Sequence, residues 1–411
     1  MSINNYSCIS CNTSDASFFY KSPYMPQRSS LIRIDMINEP LPYTSYQYVI
    51  CNNCFLVQSI ENNPPSILES ENCYFSHVSR TIIERDKLLS KDIIKRKKVN
   101  QQTRIIELGG SDGTFLENFT ALTQHIINIE PSNDSCELCQ KKKIKSLNCF
   151  FSKKVAIEIL NSFGKADIIV IKQVLETIID LNDFLEGVSM LLKKDGLLLI
   201  EVPYVIDLIE RNFYDFMAHI RKSHFSFTSL KKALLKKNLS VSEVYHYHDL
   251  EGGLRVYAGH SQSNNQCPLV GNLLKSEAKW GIDNYTNYSS ALKKGILLHS
   301  ELMNLIFNYK KSHSKIVGYG AGVKAGILLN YCGIDNRFLD FVVDKNSFKH
   351  GKFIPGVNLE VLPLNRLYDG VNVILLLAWI YKDEIINDLM PLIEEGIHIV
   401  VPAPEVTVIK K

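Results

Sequence analysis

The chain has 411 residues, 45% hydrophobic and 22% charged, with 46 Lys plus Arg against 43 Asp plus Glu and a formal charge of +3. That length supports two or three cores, and the composition excludes disorder, collagen-like repeats and a disulfide-dense mini-fold. So small a positive excess cannot by itself hold a nucleic acid backbone, and no nucleic-acid motif is present, so no nucleic acid is expected as a partner. Apolar runs such as 373–380 fall far short of the roughly 20 residues a membrane span needs. The polar start MSINNYSCIS does not read as a signal peptide. The expected setting is the reducing cytoplasm, with no membrane partner.

Four cysteines fall into two pairs, Cys8-Ile-Ser-Cys11 and Cys51-Asn-Asn-Cys54. A CxxC turn puts two sulfurs on one side of a tight knuckle, and two knuckles supply four thiolates to a tetrahedral zinc at about 2.3 Å each. Four thiolates leave no open coordination position, so the expected zinc is structural. Unrelated cytosolic thiols or two redox pairs are the alternatives. A third pair, Cys136-Glu-Leu-Cys139, lies in a helical pattern without a partner pair and reads as helix packing.

From Gln102 the pattern changes. Residues 104–108 read as an apolar strand, followed by a turn of Gly109, Gly110, Ser111, Asp112 and Gly113 and a helix opening at Thr114. Glycines let backbone approach a ligand, and a helix N-terminus favours negative charge. A second strand ends at Glu130, about twenty residues on, where a carboxylate can accept both ribose hydroxyls. Next come a strand at 167–171, a helix at 181–192, a turn of Lys194, Asp195 and Gly196, and a strand at 197–202. This alternation predicts an α/β fold: a parallel, doubly wound sheet with its ligand at the carboxyl ends of the strands. NAD is the competing cofactor. Acids on both sides of the glycines suit a cofactor without a pyrophosphate, and the spacing matches the class I methyltransferase pattern, so S-adenosylmethionine is expected on Glu107, Gly109, Gly110, Asp112, Gly113 and Glu130.

A charged helical linker is predicted over about 273–311, then a second strand at 316–319 followed by Gly320, Gly322 and a helix whose first turn holds Lys324. Backbone amides and a lysine there suit a phosphate. Asp344 follows a further strand in the position of a ribose-binding acid. Tight strand–helix packing is the structural alternative for these glycines.

Taken in order, these motifs resemble the three-domain sugar C-methyltransferases that act on nucleotide-linked keto-deoxysugars. The resemblance runs over nearly the whole length. It rests on the four cysteines, on Tyr74-Phe75-Ser76-His77-Val78-Ser79 against a Tyr-x-Ser-x-x-Ser segment, and on Glu107 to Gly113 against E-I-G-S-N-D-G. It continues through Gly318 to Ala325, Val343-Asp344-Lys345-Asn346, Leu377-Ala378-Trp379 and Pro402-Ala403-Pro404-Glu405. The resemblance implies a zinc-binding domain at 1–78, an S-adenosylmethionine-dependent methyltransferase domain at 79–262, and a helical linker with a Rossmann-like nucleotide-sugar domain at 263–411. Arg255, Gly320, Lys324 and Asp344 are the implied substrate contacts.

Where the family carries Y-H-E-H before Y-F-S, this chain departs. Asp215, His219, Phe225 and Ser226 agree, but Ala218, Ile220 and Arg221 replace the tyrosine, the glutamate and the second histidine of the segment in which the family places its base, so the usual base is missing. An arginine cannot take a proton near pH 7. His219 and His224 are the candidate bases, with Tyr74 a further contact to the reacting group. Each also reads as a structural or packing residue, and Arg221 reads as a partner for an anionic oxygen. The family's H-G-G-S likewise becomes Glu251-Gly252-Gly253-Leu254. The expected activity is methyl transfer to carbon of a nucleotide-linked keto-deoxysugar; transfer to oxygen or nitrogen of an activated glycan precursor, and a binding protein without turnover, are the alternatives.

Overall fold

Three sheets organise the chain, each formed where β-branched and aliphatic residues concentrate. The computed structural model describes residues 6–28, 30–61, 75–211, 220–250, 252–260 and 267–411. The first sheet is antiparallel, in the order Ala16–Lys21, Gln47–Cys51, Val57–Ser59 and Ser223–His224. Its last strand therefore returns from far along the sequence. His224 pairs with Val57, and Lys222 Nζ reaches the backbone carbonyls of Ser59 and, at 3.0 Å, Glu61.

The second sheet runs Ser240–Tyr247, Gly253–Gly259, Leu192–Val202, Ala166–Lys172, Ile105–Leu108, Ile126–Ile129 and Lys145–Leu147. The last five strands are mutually parallel and the first two add antiparallel. The residues of the three central strands, Ala166–Lys172, Ile105–Leu108 and Ile126–Ile129, are nearly all buried, as a sheet covered on both faces requires. The strand order reverses between Ile105–Leu108 and Ala166–Lys172, which opens a crevice at their carboxyl ends. The third sheet repeats this plan with Phe353–Ile354, Leu359–Leu362, Val342–Val343, Ile316–Tyr319, Val373–Leu376, His398–Val401 and Thr407–Ile409. Its reversal lies between Ile316–Tyr319 and Val373–Leu376.

Helix Arg80–Lys97 bridges these parts. Ser79 caps it by accepting from Ile82 N, and its buried stripe is Asp86, Leu89, Ser90 and Ile93. Its N-terminal end meets helix Lys382–Glu394, where Glu384 Oε2 accepts from Thr81 Oγ1 at 2.8 Å and Arg80 pairs with Asp388. The predicted linker is two helices, Pro268–Trp280 and Tyr285–Lys311, parted at Gly281, whose φ of +81° closes the first. Among the described residues no helix is long and apolar enough to cross a membrane.

Two local expectations are corrected. No α-helix opens at Thr114; a short 3-10 helix, Leu116–Phe119, stands there. Phe115, Leu116 and Phe119 bury within one tight turn, and Thr123 Oγ1 then ties the chain to Thr103 O at 2.9 Å. The turn expected at 194–196 is absorbed into the single strand Leu192–Val202 as a register shift between Leu192 and Leu197.

Candidate active site

A cavity of about 430 Å³ opens at the carboxyl ends of the central strands, lined among others by Glu107, Gly109, Gly110 and Glu130. Gly109 has φ +71°, and a Cβ there would lie 2.4 Å from Val174 Cγ2. At Gly110 a Cβ would lie 2.5 Å from Asn128 Oδ1 and 2.6 Å from Glu107 Oε2. Only glycine lets the chain pass these groups and present its backbone to the cavity. Glu130 Oε2 accepts from Ser111 N at 3.0 Å and its Oε1 from Ser132 N at 2.9 Å, and burial raises its pKa.

Asp112 and Gly113 support the turn from behind and do not line the cavity. Asp112 is fully buried, accepts from Thr114 Oγ1 at 2.8 Å and pairs with the His77 ring. Burial alone would raise its pKa, but the His77 bonds hold it below the ordinary value. Cys136 and Cys139 lie buried in helix Asn133–Lys141; Cys139 Sγ donates to Ser111 O at 3.3 Å, so this pair shores up the same turn.

The sequence reading missed a set of charges behind the cavity. Lys172, at the carboxyl end of its strand, reaches Asp86 at 2.7 Å and Glu107 at 3.5 Å and lies over the Phe115 ring. Arg85 reaches Glu201 at 3.4 Å and Asp249 at 3.2 Å. Burial pushes the Glu107 carboxyl up to about 7, against the opposing charge of Lys172, and it raises Asp86 as well. Burial alone would lower the Lys172 ammonium, but the charges of Glu107 and Asp86 outweigh it and hold the ammonium above its ordinary pKa. A lysine closing the apolar run ADIIVIK was the only available signal. Glu107 Oε2 and Asp86 Oδ2 are buried without a hydrogen-bond partner among the described residues. Two acceptor atoms in a glycine-floored cavity are what the ammonium and hydroxyls of S-adenosylmethionine would satisfy, so the residues present fit that cofactor.

A second cavity of about 450 Å³ opens on the third sheet, lined by Gly320, Lys324, Asp344 and Lys349 among others. Gly320 has φ +99°, and a Cβ there would lie 2.5 Å from that of Ala378. Asp344 Oδ2 accepts from Ala321 N at 2.7 Å and pairs with Lys349 at 2.9 Å. The two cavities share Gln173, Thr177, Ile220, Lys324, Ile380 and Tyr381 in their walls.

Two candidate residues prove to be elsewhere. His224 lines neither cavity: it is 2% exposed, in the first sheet, with its ring 5.9 Å from that of Tyr48. Strand pairing with Val57 turns it into that core. Arg255 also lines neither cavity, because its Nε and Nη2 both go to Glu201 Oε1, at 2.7 and 2.6 Å. Tyr74 and His219 lie outside the described residues.

The four cysteines converge. Cys8 and Cys54 Sγ are 3.5 Å apart, Cys11 and Cys51 Sγ are 3.3 Å apart, and all four lie within 4.8 Å of one another. Cys11 N points at Cys8 Sγ and Cys54 N at Cys51 Sγ, each at 3.4 Å. A tetrahedral zinc with bonds of about 2.3 Å sets its sulfurs nearly 4 Å apart, so the donor set fits a structural zinc.

A doubly wound sheet with an acid-flanked glycine turn at its switch point defines the class: the chain is an S-adenosylmethionine-dependent methyltransferase. Residues 74–244 match the family described as "Methyltransferase domain" and residues 249–404 the one described as "C-methyltransferase C-terminal domain". A curated relative, C-methyltransferase NovU of Streptomyces niveus, is 28% identical over 364 residues, 88% of this chain and 86% of the relative. These matches bear out the resemblance to C-methyltransferases. Two solved structures overlay the central part at a TM-score of 0.35 each. The S-adenosylmethionine-dependent methyltransferase of Anabaena variabilis is 14% identical, covering 43% of this chain and 85% of its own. The magnesium protoporphyrin IX methyltransferase of Synechocystis is 11% identical, covering 44% and 83%. Likenesses this low carry no weight for function.

Proposed function

We propose that this chain methylates a carbon of a nucleotide-linked keto-deoxysugar. One observation carries the reading: the acid-flanked cavity and the lysine-bearing cavity share a wall, so a ligand held by its phosphates on the third sheet has its sugar end directed toward the central sheet. Glu107, Gly109, Gly110 and Glu130 would hold S-adenosylmethionine, which supplies an electrophilic methyl group. Gly320 and Lys324 serve the diphosphate, through backbone amides and a point charge. Asp344, which already accepts the Ala321 amide, faces a ribose hydroxyl. Arg221, which lines the first cavity, stays cationic at any working pH and stabilises negative charge on the sugar's keto oxygen as an adjacent C–H ionises. Cytoplasmic placement goes with this reading, since a four-thiolate zinc site suits a reducing compartment.

The test is calorimetric titration with S-adenosylhomocysteine and with thymidine, cytidine, guanosine and uridine diphosphates. Binding of both ligand classes, and mass-spectrometric detection of a methyl on carbon of the matching activated keto-sugar, are the expected results. Nucleotide binding without cofactor binding overturns the reading, and a methyl found on oxygen or nitrogen replaces carbon as the acceptor.

A further inference from the structure

We propose that Asp207, His246 and His248 form a binding site for a divalent transition cation, separate from the four cysteines. His246 lies near the end of strand Ser240–Tyr247 and His248 just beyond it. Residues two apart on an extended chain project from one face, and the two rings stand 4.1 Å apart, centre to centre. Asp207 meets them from helix Val205–Glu210, where it is 5% exposed, and its Oδ2 lies 2.7 Å from His246 Nε2. The Tyr204 ring packs edge-on against His246 at 4.9 Å and fixes that imidazole. One donor atom from each of the three residues falls within 4.8 Å of the others. Bonds of about 2.0–2.2 Å set the ligands of a cation roughly 3 to 3.5 Å apart, so a turn of the exposed His248 ring closes the set. The chain is also shaped around the carboxylate: Gly252 has φ +79°, and a Cβ there would lie 2.2 Å from Asp207 Oδ2.

Two imidazoles and one carboxylate select zinc, cobalt or nickel over magnesium and calcium, which take oxygen ligands. Three protein donors also leave positions for water, as four thiolates do not. Arg211 is the opposing group: its Nη1 donates to His248 O at 3.1 Å and its Nη2 lies 3.0 Å from His248 Nδ1. The cation competes with that guanidinium for the ring. None of the three donors lines either large cavity, so the cation holds structure and does not touch the reacting groups. Tyr247, Leu250 and Gly252, interleaved with and following the two histidines, do line the first cavity. A cation bound here ties that wall to the helix that follows strand Leu192–Val202, and so sets the position of the segment at 247–252 against the ligand.

The full-length protein, supplied with one equivalent of zinc for its four cysteines, is titrated with cobalt(II) and followed by calorimetry and visible absorption. One added cobalt per chain is expected, with the weak bands of nitrogen and oxygen ligands. His246→Gln and His248→Gln are each expected to weaken that binding about 100-fold or more, beyond what loss of an outer-sphere partner costs. Arg211→Gln is expected to tighten it about threefold by removing a like charge. In the unaltered protein, added cobalt is expected to slow amide hydrogen exchange across 247–252. His248→Gln alters an exposed ring and keeps the test decisive where His246→Gln fails to fold. No added cobalt, cobalt bound as tightly by His248→Gln as by the unaltered protein, or added cobalt that shows only an intense thiolate charge-transfer band overturns the site. Binding without slower exchange at 247–252 overturns its hold on the cavity wall.

Discussion

In the turn after strand Ile105–Leu108 and in the turn after strand Ile316–Tyr319, a carboxylate from the end of the neighbouring strand accepts a backbone amide: Glu130 from Ser111, and Asp344 from Ala321. Each turn also holds a glycine at positive φ whose missing Cβ leaves room for a neighbour, Val174 in one and Ala378 in the other. The backbones are alike, but the charges differ. At the first turn itself stand the carboxylates of Glu107 and Glu130, with the Lys172 ammonium committed to Asp86 and Glu107, while Lys324 reaches this cavity from the wall it shares with the second. Around the second, Lys324 and Lys349 accompany Asp344. Under the proposed function, the same strand-turn geometry serves a cationic cofactor in one place and phosphates in the other. A Rossmann-like turn does not name its ligand; the side chains beside it do.

The most severe way to probe this comparison is to disturb what both halves share. The first sheet joins the central region through Ser223–His224, and the segment between its first two strands joins the third sheet through the paired backbones of Ile32 and Phe353. If the four cysteines hold a structural zinc, a chelator is expected to lower Tm by about 10 °C or more and to weaken cofactor and nucleotide binding together, as calorimetry on the treated protein would show. Separation is expected next from Gly109→Ala and Gly320→Ala. Each places a Cβ at positive φ against a packed neighbour, at a cost of about 2 kcal/mol. Gly109→Ala should weaken S-adenosylhomocysteine roughly 30-fold and spare nucleotide; Gly320→Ala should do the reverse.

A smaller effect tests the charges rather than the backbones. Lys324→Met is expected to weaken nucleoside diphosphate about tenfold and to reduce the salt dependence of its binding, with S-adenosylhomocysteine little changed. The smallest effect concerns protons. Glu107, raised to about 7, is neutral below that pH and ionised above it. The sulfonium is charged and its product is not, so the affinity for S-adenosylmethionine relative to S-adenosylhomocysteine should rise about threefold between pH 6 and pH 8. Glu107→Gln should flatten that rise. A flat profile in the unaltered protein would remove Glu107 from the cofactor's surroundings.

Legibility in the sequence followed the range of the interaction. The strand Ile316–Tyr319, the convergence of the two cysteine knuckles and the glycine turns were readable because each is a local pattern: an apolar run, a CxxC spacing, a glycine forced by φ. The helix expected at Thr114 was misread because its apolar spacing satisfies one tight turn as well as a helix, and the bond from Thr123 to Thr103 decides between them. His224 and Arg255 were misassigned for a different reason. Nothing local says that His224 pairs with Val57, or that Glu201 engages the Arg255 guanidinium.

The sequence alone therefore determined the class of fold, the two turns and the thiol set, since backbone conformation and metal-ligand spacing depend on residues within a few positions of one another. The tertiary structure decided which charged groups face a ligand and which face each other. Lys172, Asp86 and Arg85 are brought to the cofactor cavity by a helix and strands far apart in the chain. The turn Leu175–Thr177 is tied to the segment at 221–224 by the backbone hydrogen bond from Lys222 N to Glu176 O. Electrostatic partnership falls off with separation in space, and separation along the chain carries almost no information about it.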